Sequence, residues 1–169
     1  MPVLPILTYP DPILRLKCEE AVPGTDDVCR LAEDMVETMY AAPGIGLAAP
    51  QVGRNIRMLV IDITGPVGAP EPHVLLNPVI QEKSESTSFE EGCLSVPELN
   101  VEIDRARKIR VRYQDLDGRW NDLSAEDLFA VAVQHEMDHL EGRLILDYAS
   151  PVRRDLYRRK IRKQRAQGV

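Results

Sequence analysis

The sequence predicts an α+β fold in one domain, 1–169, with antiparallel sheets around a central helix and a further helix at the C-terminus. Strand-like segments gather in the middle of the chain, helical periodicities lie toward its ends and between them, and no strand–helix–strand alternation recurs. At 169 residues one domain can hold a core and a site without disulfide support. A hydrophobic fraction of 44% beside a charged fraction of 28% is ordinary for a globular protein and argues against disorder across the chain.

Within residues 27–40, Val28, Leu31, Ala32, Met35, Val36 and Met39 follow the three-then-four spacing of an amphipathic helix, with Thr25 or Asp26 as its cap. Pro43 and Gly44 end that pattern. The stretch Gly44-Ile45-Gly46-Leu47-Ala48-Ala49-Pro50-Gln51 reads as an irregular loop, apolar for its kind. Residues 57–63 and 74–80 read as strands separated by a Gly/Pro turn over 64–72, and Asn77-Pro78 argues for an edge or a bulge in the second. Ile109, Val111 and Tyr113 alternate with Arg110, Arg112 and Gln114, giving a half-buried strand that turns at Asp117-Gly118 into a partner over 120–123. Ser124 and Asp127 form a capping pair for the central helix, which carries Leu128, Val131, Ala132, His135 and His139 along one side until Gly142 stops it. Ser150-Pro151 opens the last helix, about 151–166, whose stripe Val152, Leu156, Tyr157 and Ile161 runs among arginines and lysines.

Charge is distributed unevenly. Residues 151–169 hold eight Lys and Arg against Asp155 alone, whereas the rest holds 13 basic and 26 acidic residues. A basic tail on an acidic body fits an anionic partner such as nucleic acid, or simply a solvated helix face. The first sixteen residues have four prolines, an aspartate and no basic leader, so neither a secretory signal nor a membrane span is expected. Cys18, Cys29 and Cys93 make an odd number without a disulfide pattern, which points to a reducing, cytoplasmic setting.

His135-Glu136-Met137-Asp138-His139 is an H-E-x-x-H sequence inside a segment that is helical on independent grounds. One helical turn brings both imidazoles to one face, where they can share a metal ion, with Glu136 beside its water as a base. The alternative is a pair of polar core histidines. A catalytic site needs a third ligand from elsewhere, and Cys93 offers itself in Glu90-Glu91-Gly92-Cys93-Leu94-Ser95-Val96-Pro97, between a glycine and a proline that shape the backbone. A buried, inert thiol is the other reading of Cys93 and the expected fate of Cys18 and Cys29. The same residues also suit a zinc metallopeptidase, or a binding module in which metal only maintains the fold. The second needs a fourth protein ligand, and the remaining histidine, His73, lies in a separate strand.

Gly44-Ile45-Gly46-Leu47-Ala48-Ala49-Pro50-Gln51, Glu91-Gly92-Cys93-Leu94-Ser95 and Gln134-His135-Glu136-Met137-Asp138-His139 together resemble, in order, the three signatures of bacterial peptide deformylases, with similarity over residues 6–151. The resemblance implies a metal-dependent amide hydrolase that removes the formyl group from N-terminal formyl-methionine of new polypeptides and releases formate. It implies metal ligation by Cys93, His135 and His139 and attack on the formyl carbon by a metal-activated hydroxide, with Glu136 as general base and then acid. The Gln51 side-chain amide and the Leu94 backbone N–H would stabilise the developing oxyanion. Ile45, Gly46, Phe89, Leu128, Val131 and Ala132 would surround the formyl group and the methionine side chain. Ferrous iron is the implied ion, with zinc, nickel, cobalt or cadmium as substitutes. The resemblance further suggests a monomer acting on N-formylmethionyl peptides and docking its basic helix on the ribosome. Pro43, where relatives often carry an acid, and Ala132, where some carry cysteine, are departures at the mouth and pocket.

Overall fold

A computed structural model of the protein describes residues 2–65 and 68–168. Its elements run α1 (Asp26–Ala41), β1 (Gly46–Ala48), β2 (Met58–Ile61), β3 (His73–Cys93), β4 (Val96–Gln114), β5 (Trp120–Glu126), α2 (Asp127–Leu140) and α3 (Pro151–Ala166). The five strands form one antiparallel sheet in sequential order, so the fold is α+β as the sequence implies.

The α1 helix starts at Thr25, whose hydroxyl oxygen accepts from Val28 N–H. Its inner face buries Val28, Leu31, Ala32, Met35 and Met39 against Leu47, Met58, Val60 and Leu76. Met35 and Met39 are fully buried, and each such side chain stabilises the fold by about 1.5–3 kcal/mol. A second cluster lies between the sheet and α2, where Leu59, Ile61, Leu75, Ile109 and Val111 meet Ala130, Val133 and Leu140. The third gathers Val96, Leu99, Val101 and Ile103 of β4 with Leu144, Leu146 and, from α3, Tyr157 and Ile161.

The structure departs from the sequence-based expectations in four places. Residues 44–51 are not all loop: β1 pairs with β2, and Ala49–Val52 form a turn of 3-10 helix. The strand expected over 74–80 is only the start of β3, which continues to Cys93 and pairs with β4 across a long hairpin. Of the two readings of its Asn77-Pro78 step the bulge holds, because β3 lies inside the sheet with a register shift between Leu76 and Val79. Ser124 does not cap the central helix, since it pairs with Arg110 in the β4–β5 ladder; α2 begins at Asp127 with no side-chain cap. On α3, Tyr157 and Ile161 are buried but Val152 and Leu156 are exposed, so the apolar stripe is narrower than its four members. The turn expected over 64–72 includes Pro66 and Val67, which lie outside the described residues.

Gly142 ends α2 as expected, in the left-handed region at φ 74°. A Cβ there would stand 2.5 Å from the Arg15 carbonyl oxygen, so this close approach fixes the end of α2 against the N-terminal segment. Cys18 is buried, with its thiol pushed up to about 11 by that burial, and Cys29 is half-buried; both are free. Among the described residues no helix is long and apolar enough to cross a membrane.

Candidate metal centre

Helical periodicity places His135 and His139 on one side of α2, with ring centroids 5.2 Å apart. The end of β3 delivers Cys93 to the same point, its Sγ 3.4 Å from His139 Nε2. One donor atom from each of Cys93, His135 and His139 lies within 4.8 Å of the others, a group that can hold a metal ion. A sulfur and two imidazole nitrogens suit zinc or ferrous iron and leave a coordination position open. His139 is 1% exposed, and its Nδ1 has no hydrogen-bond partner.

The residues named from sequence converge. A cavity of about 360 Å³ is lined by Ile45, Gly46, Gln51, Phe89, Cys93, Leu94, Leu128, Val131, Ala132, His135 and Glu136. Pro43 stands at its mouth and Glu90 on its wall. His139 lies beneath the lining, within reach of Cys93. Leu128 and Ile45 remain partly open to solvent while Val131 and Ala132 are buried, giving a pocket with an apolar floor and an accessible rim.

Glu136 is buried, its Oε1 lies 3.9 Å from His135 Nε2, and its Oε2 has no partner. Burial pushes this carboxyl up to about 7, against the nearby charges of His135 and Arg105. A carboxyl raised toward neutrality on a residue that lines the cavity is suited to general base and acid work. Gly46 leaves room for the other oxygen: a Cβ there would come within 2.7 Å of Glu136 Oε1.

Gln51 is held as a fixed amide. Its Oε1 accepts from Ala48 N–H at 2.9 Å, so its Nε2 must face the centre, donating to Ser95 Oγ at 3.1 Å and lying 3.8 Å from Cys93 Sγ. Leu94 occupies the two-residue turn that joins β3 to β4, beside the cysteine.

Behind the centre is a buried charge network that reading the sequence did not find. Glu91 Oε1 lies 3.0 Å from His135 Nδ1, while Arg105 grips both Glu91 oxygens at 2.7 and 3.0 Å. Arg105 also donates to Asp138 at 3.0 Å, and Asp138 accepts the Tyr148 hydroxyl at 2.7 Å. Burial disfavours the charge on Glu91, but hydrogen bonds from His135 and Arg105 outweigh it and hold the carboxyl below its usual range. Burial likewise pushes both imidazoles toward neutrality. In His135 the hydrogen bonds to Cys93 and Glu91 reverse this and raise its proton affinity, whereas His139 stays well below the usual range. Glu91 had one available signal: in an extended strand it shares a face with Cys93 two residues on. Arg105 had none, because only the β3–β4 register brings it to Glu91.

A histidine whose second nitrogen is bonded to a carboxylate is fixed in ring orientation and tautomer, and such partners typically contribute about 10- to 100-fold to metal affinity. Glu91→Gln is therefore expected to weaken metal retention by about that factor while the fold persists. Competition with a chelator, alongside circular dichroism, measures both.

Comparison with known proteins agrees with this geometry. The family model described as polypeptide deformylase matches residues 3–155. A peptide deformylase of Desulfotalea psychrophila is 48% identical over 164 residues, covering 96% of this chain and 97% of the relative. One from Alkalilimnicola ehrlichii is 48% identical over 168 residues, covering 99% and 94%. The crystal structure of a peptide deformylase from Legionella pneumophila superimposes with a TM-score of 0.89 at 40% identity, covering 99% of this chain and 98% of that one. That of the Ehrlichia chaffeensis peptide deformylase in complex with actinonin gives 0.90 at 38% identity, covering 97% and 98%. With a family model matching nearly the whole chain and the sequence signatures meeting at one cavity, this chain belongs to the peptide deformylase family of metal-dependent hydrolases, which remove the N-formyl group from new polypeptides.

Proposed function

We propose that this chain deformylates N-formylmethionyl peptides at the cavity between β1, the end of β3 and α2, with Cys93, His135 and His139 as the metal ligands. The observation that carries this reading is the convergence of those three donors beside the vacant Glu136 carboxylate oxygen. A divalent ion held there supplies Lewis-acid polarisation and acidifies a coordinated water. Ferrous iron is the physiological ion in this reading; zinc, nickel, cobalt or cadmium would fit the same donors.

The protein's own groups do the rest. Glu136 takes the proton of the attacking water at its unpartnered oxygen and returns it to the nitrogen of the departing amine. Gln51 Nε2, already aimed at the centre, and the Leu94 backbone N–H stabilise charge on the former carbonyl oxygen. Glu91, held by Arg105, keeps His135 oriented. Phe89, Leu128, Val131 and Ala132 receive the methionine side chain, while Ile45 and Gly46 form the narrow wall that admits formyl and excludes larger acyl groups.

Anaerobically prepared protein should release formate from a formyl-Met peptide and leave the acetylated and unblocked counterparts intact. Cleavage of an internal peptide bond in any of the three would instead favour a metallopeptidase.

The basic α3 is proposed to dock the enzyme, as a monomer, on ribosomal RNA. Lys160 pairs with Glu98 and Arg158 with Asp155, but among the described residues Arg159, Arg162, Lys163 and Arg165 have no recorded ion pair. Removing the helix would uncover the core around Tyr157 and Ile161, so charge reversal is the cleaner probe. Glutamate at those four positions is expected to abolish salt-sensitive cosedimentation with ribosomes and leave turnover of a short formyl peptide unchanged. Unchanged cosedimentation would reject the docking.

A further inference from the structure

Resting on the function proposed above, we infer that Asp62 is a positioning residue for substrate: it holds both ends of the loop 42–45 and so fixes the cavity wall against which the formyl end is seated.

Asp62 follows β2 directly and is only 4% exposed. Its backbone N–H donates to the Ile45 carbonyl at 2.9 Å, extending the β1–β2 ladder one residue beyond Gly46 and Ile61. Its side chain meanwhile accepts the Tyr40 hydroxyl at 2.5 Å, and Tyr40 lies in the last turn of α1. The loop between Tyr40 and Ile45 is thus bracketed by one residue. The same carboxylate accepts from Thr64 N–H at 2.9 Å, Thr64 Oγ1–H at 2.7 Å and Glu71 N–H at 2.8 Å, which anchor it in turn.

What the clasp holds is the site's near wall. Pro43, Gly44, Ile45 and Gly46 all line the cavity. The clearances are small on both sides: a Cβ on Gly46 would meet Glu136 Oε1 at 2.7 Å, and one on Gly44 would meet Leu94 Cδ1 at 3.2 Å. A preorganised wall lowers the cost of seating a ligand, so a wall this close to the acyl group needs a fixed foundation. Among the described residues the hydrogen bonds of Asp62 run to none of Cys93, His135, Glu136 or His139. Its influence therefore falls on how substrate is seated and not on how metal is held.

The test compares wild type, Asp62→Asn and Tyr40→Phe on matched formyl-Met and acetyl-Met peptides, with bound metal measured in each. Asp62→Asn is expected to raise KM for the formyl peptide about fivefold to tenfold, on the scale of one ordinary hydrogen bond, with kcat within about twofold. The preference for formyl over acetyl should fall by a similar factor and metal content should not change. Tyr40→Phe, which removes one hydroxyl, is expected to show the same pattern at about threefold, and it decides the matter if Asp62→Asn does not fold. A folded variant with unaltered KM and unaltered acyl preference overturns the inference, as does a loss confined to kcat or to metal content. Wild type that releases no formate overturns the functional reading itself, which separates the two failures.

Discussion

Glu136→Ala is expected to abolish measurable formate release while the protein keeps its metal. Glu136 is buried and lines the cavity, its Oε1 lies 3.9 Å from His135 Nε2, beyond hydrogen-bond distance, and its Oε2 has no partner. The substitution thus removes the proton carrier and no proposed ligand. General acid–base catalysis typically contributes about 10²–10⁴-fold, and a residue used in both proton transfers should lie toward the upper end. Removing a buried carboxylate that makes no hydrogen bond at Oε2 should not lower stability. The measurement pairs formate release with metal analysis and a thermal melt. Activity within about tenfold of wild type, with metal retained, would remove Glu136 from the chemistry.

The second large effect concerns Gln51, where the choice of substitution decides what is learned. Alanine would strip a buried amide from Ala48 N–H and Ser95, and an unsatisfied buried group costs about 1–3 kcal/mol of stability. Gln51→Glu keeps an acceptor for Ala48 but exchanges the Nε2–H donors aimed at the centre for a carboxyl oxygen, which places an ionisable group beside Cys93 and Ser95. Losing one oxyanion donor costs about 10²–10³-fold in kcat. The expected result is a fall of at least that size in kcat in protein that still folds, with the melting temperature lowered by the cost of the buried carboxyl. A kcat near the wild-type value would assign Gln51 to holding the Ala49–Val52 turn alone.

Parts of the fold were readable from sequence where local physics dominates. The cap at Thr25, the inner face of α1, the stop at Gly142 and the opening of α3 at Ser150 are each set within a few residues of one another. The long hairpin was not readable. Residues 81–90 are almost wholly polar and mostly exposed, so no alternation marks them as strand; they are extended because β4 pairs with them along the ladder. The same ladder overrode the capping signal at Ser124, whose backbone is committed to Arg110.

By itself the sequence determined the two histidines and the glutamate, because 3.6 residues per turn put positions 135 and 139 on one face whatever surrounds them. It also supplied the cysteine and the amide, and its resemblance to a known family named their roles. The tertiary structure alone decided that Cys93 meets His139 across 46 residues of chain, that Arg105 secures Glu91 behind His135, and that Asp62 clasps the loop at the mouth. Those pairings depend on strand register and on how sheet and helix stack, and a one-residue slip in β3 would turn Cys93 and Glu91 to the opposite face.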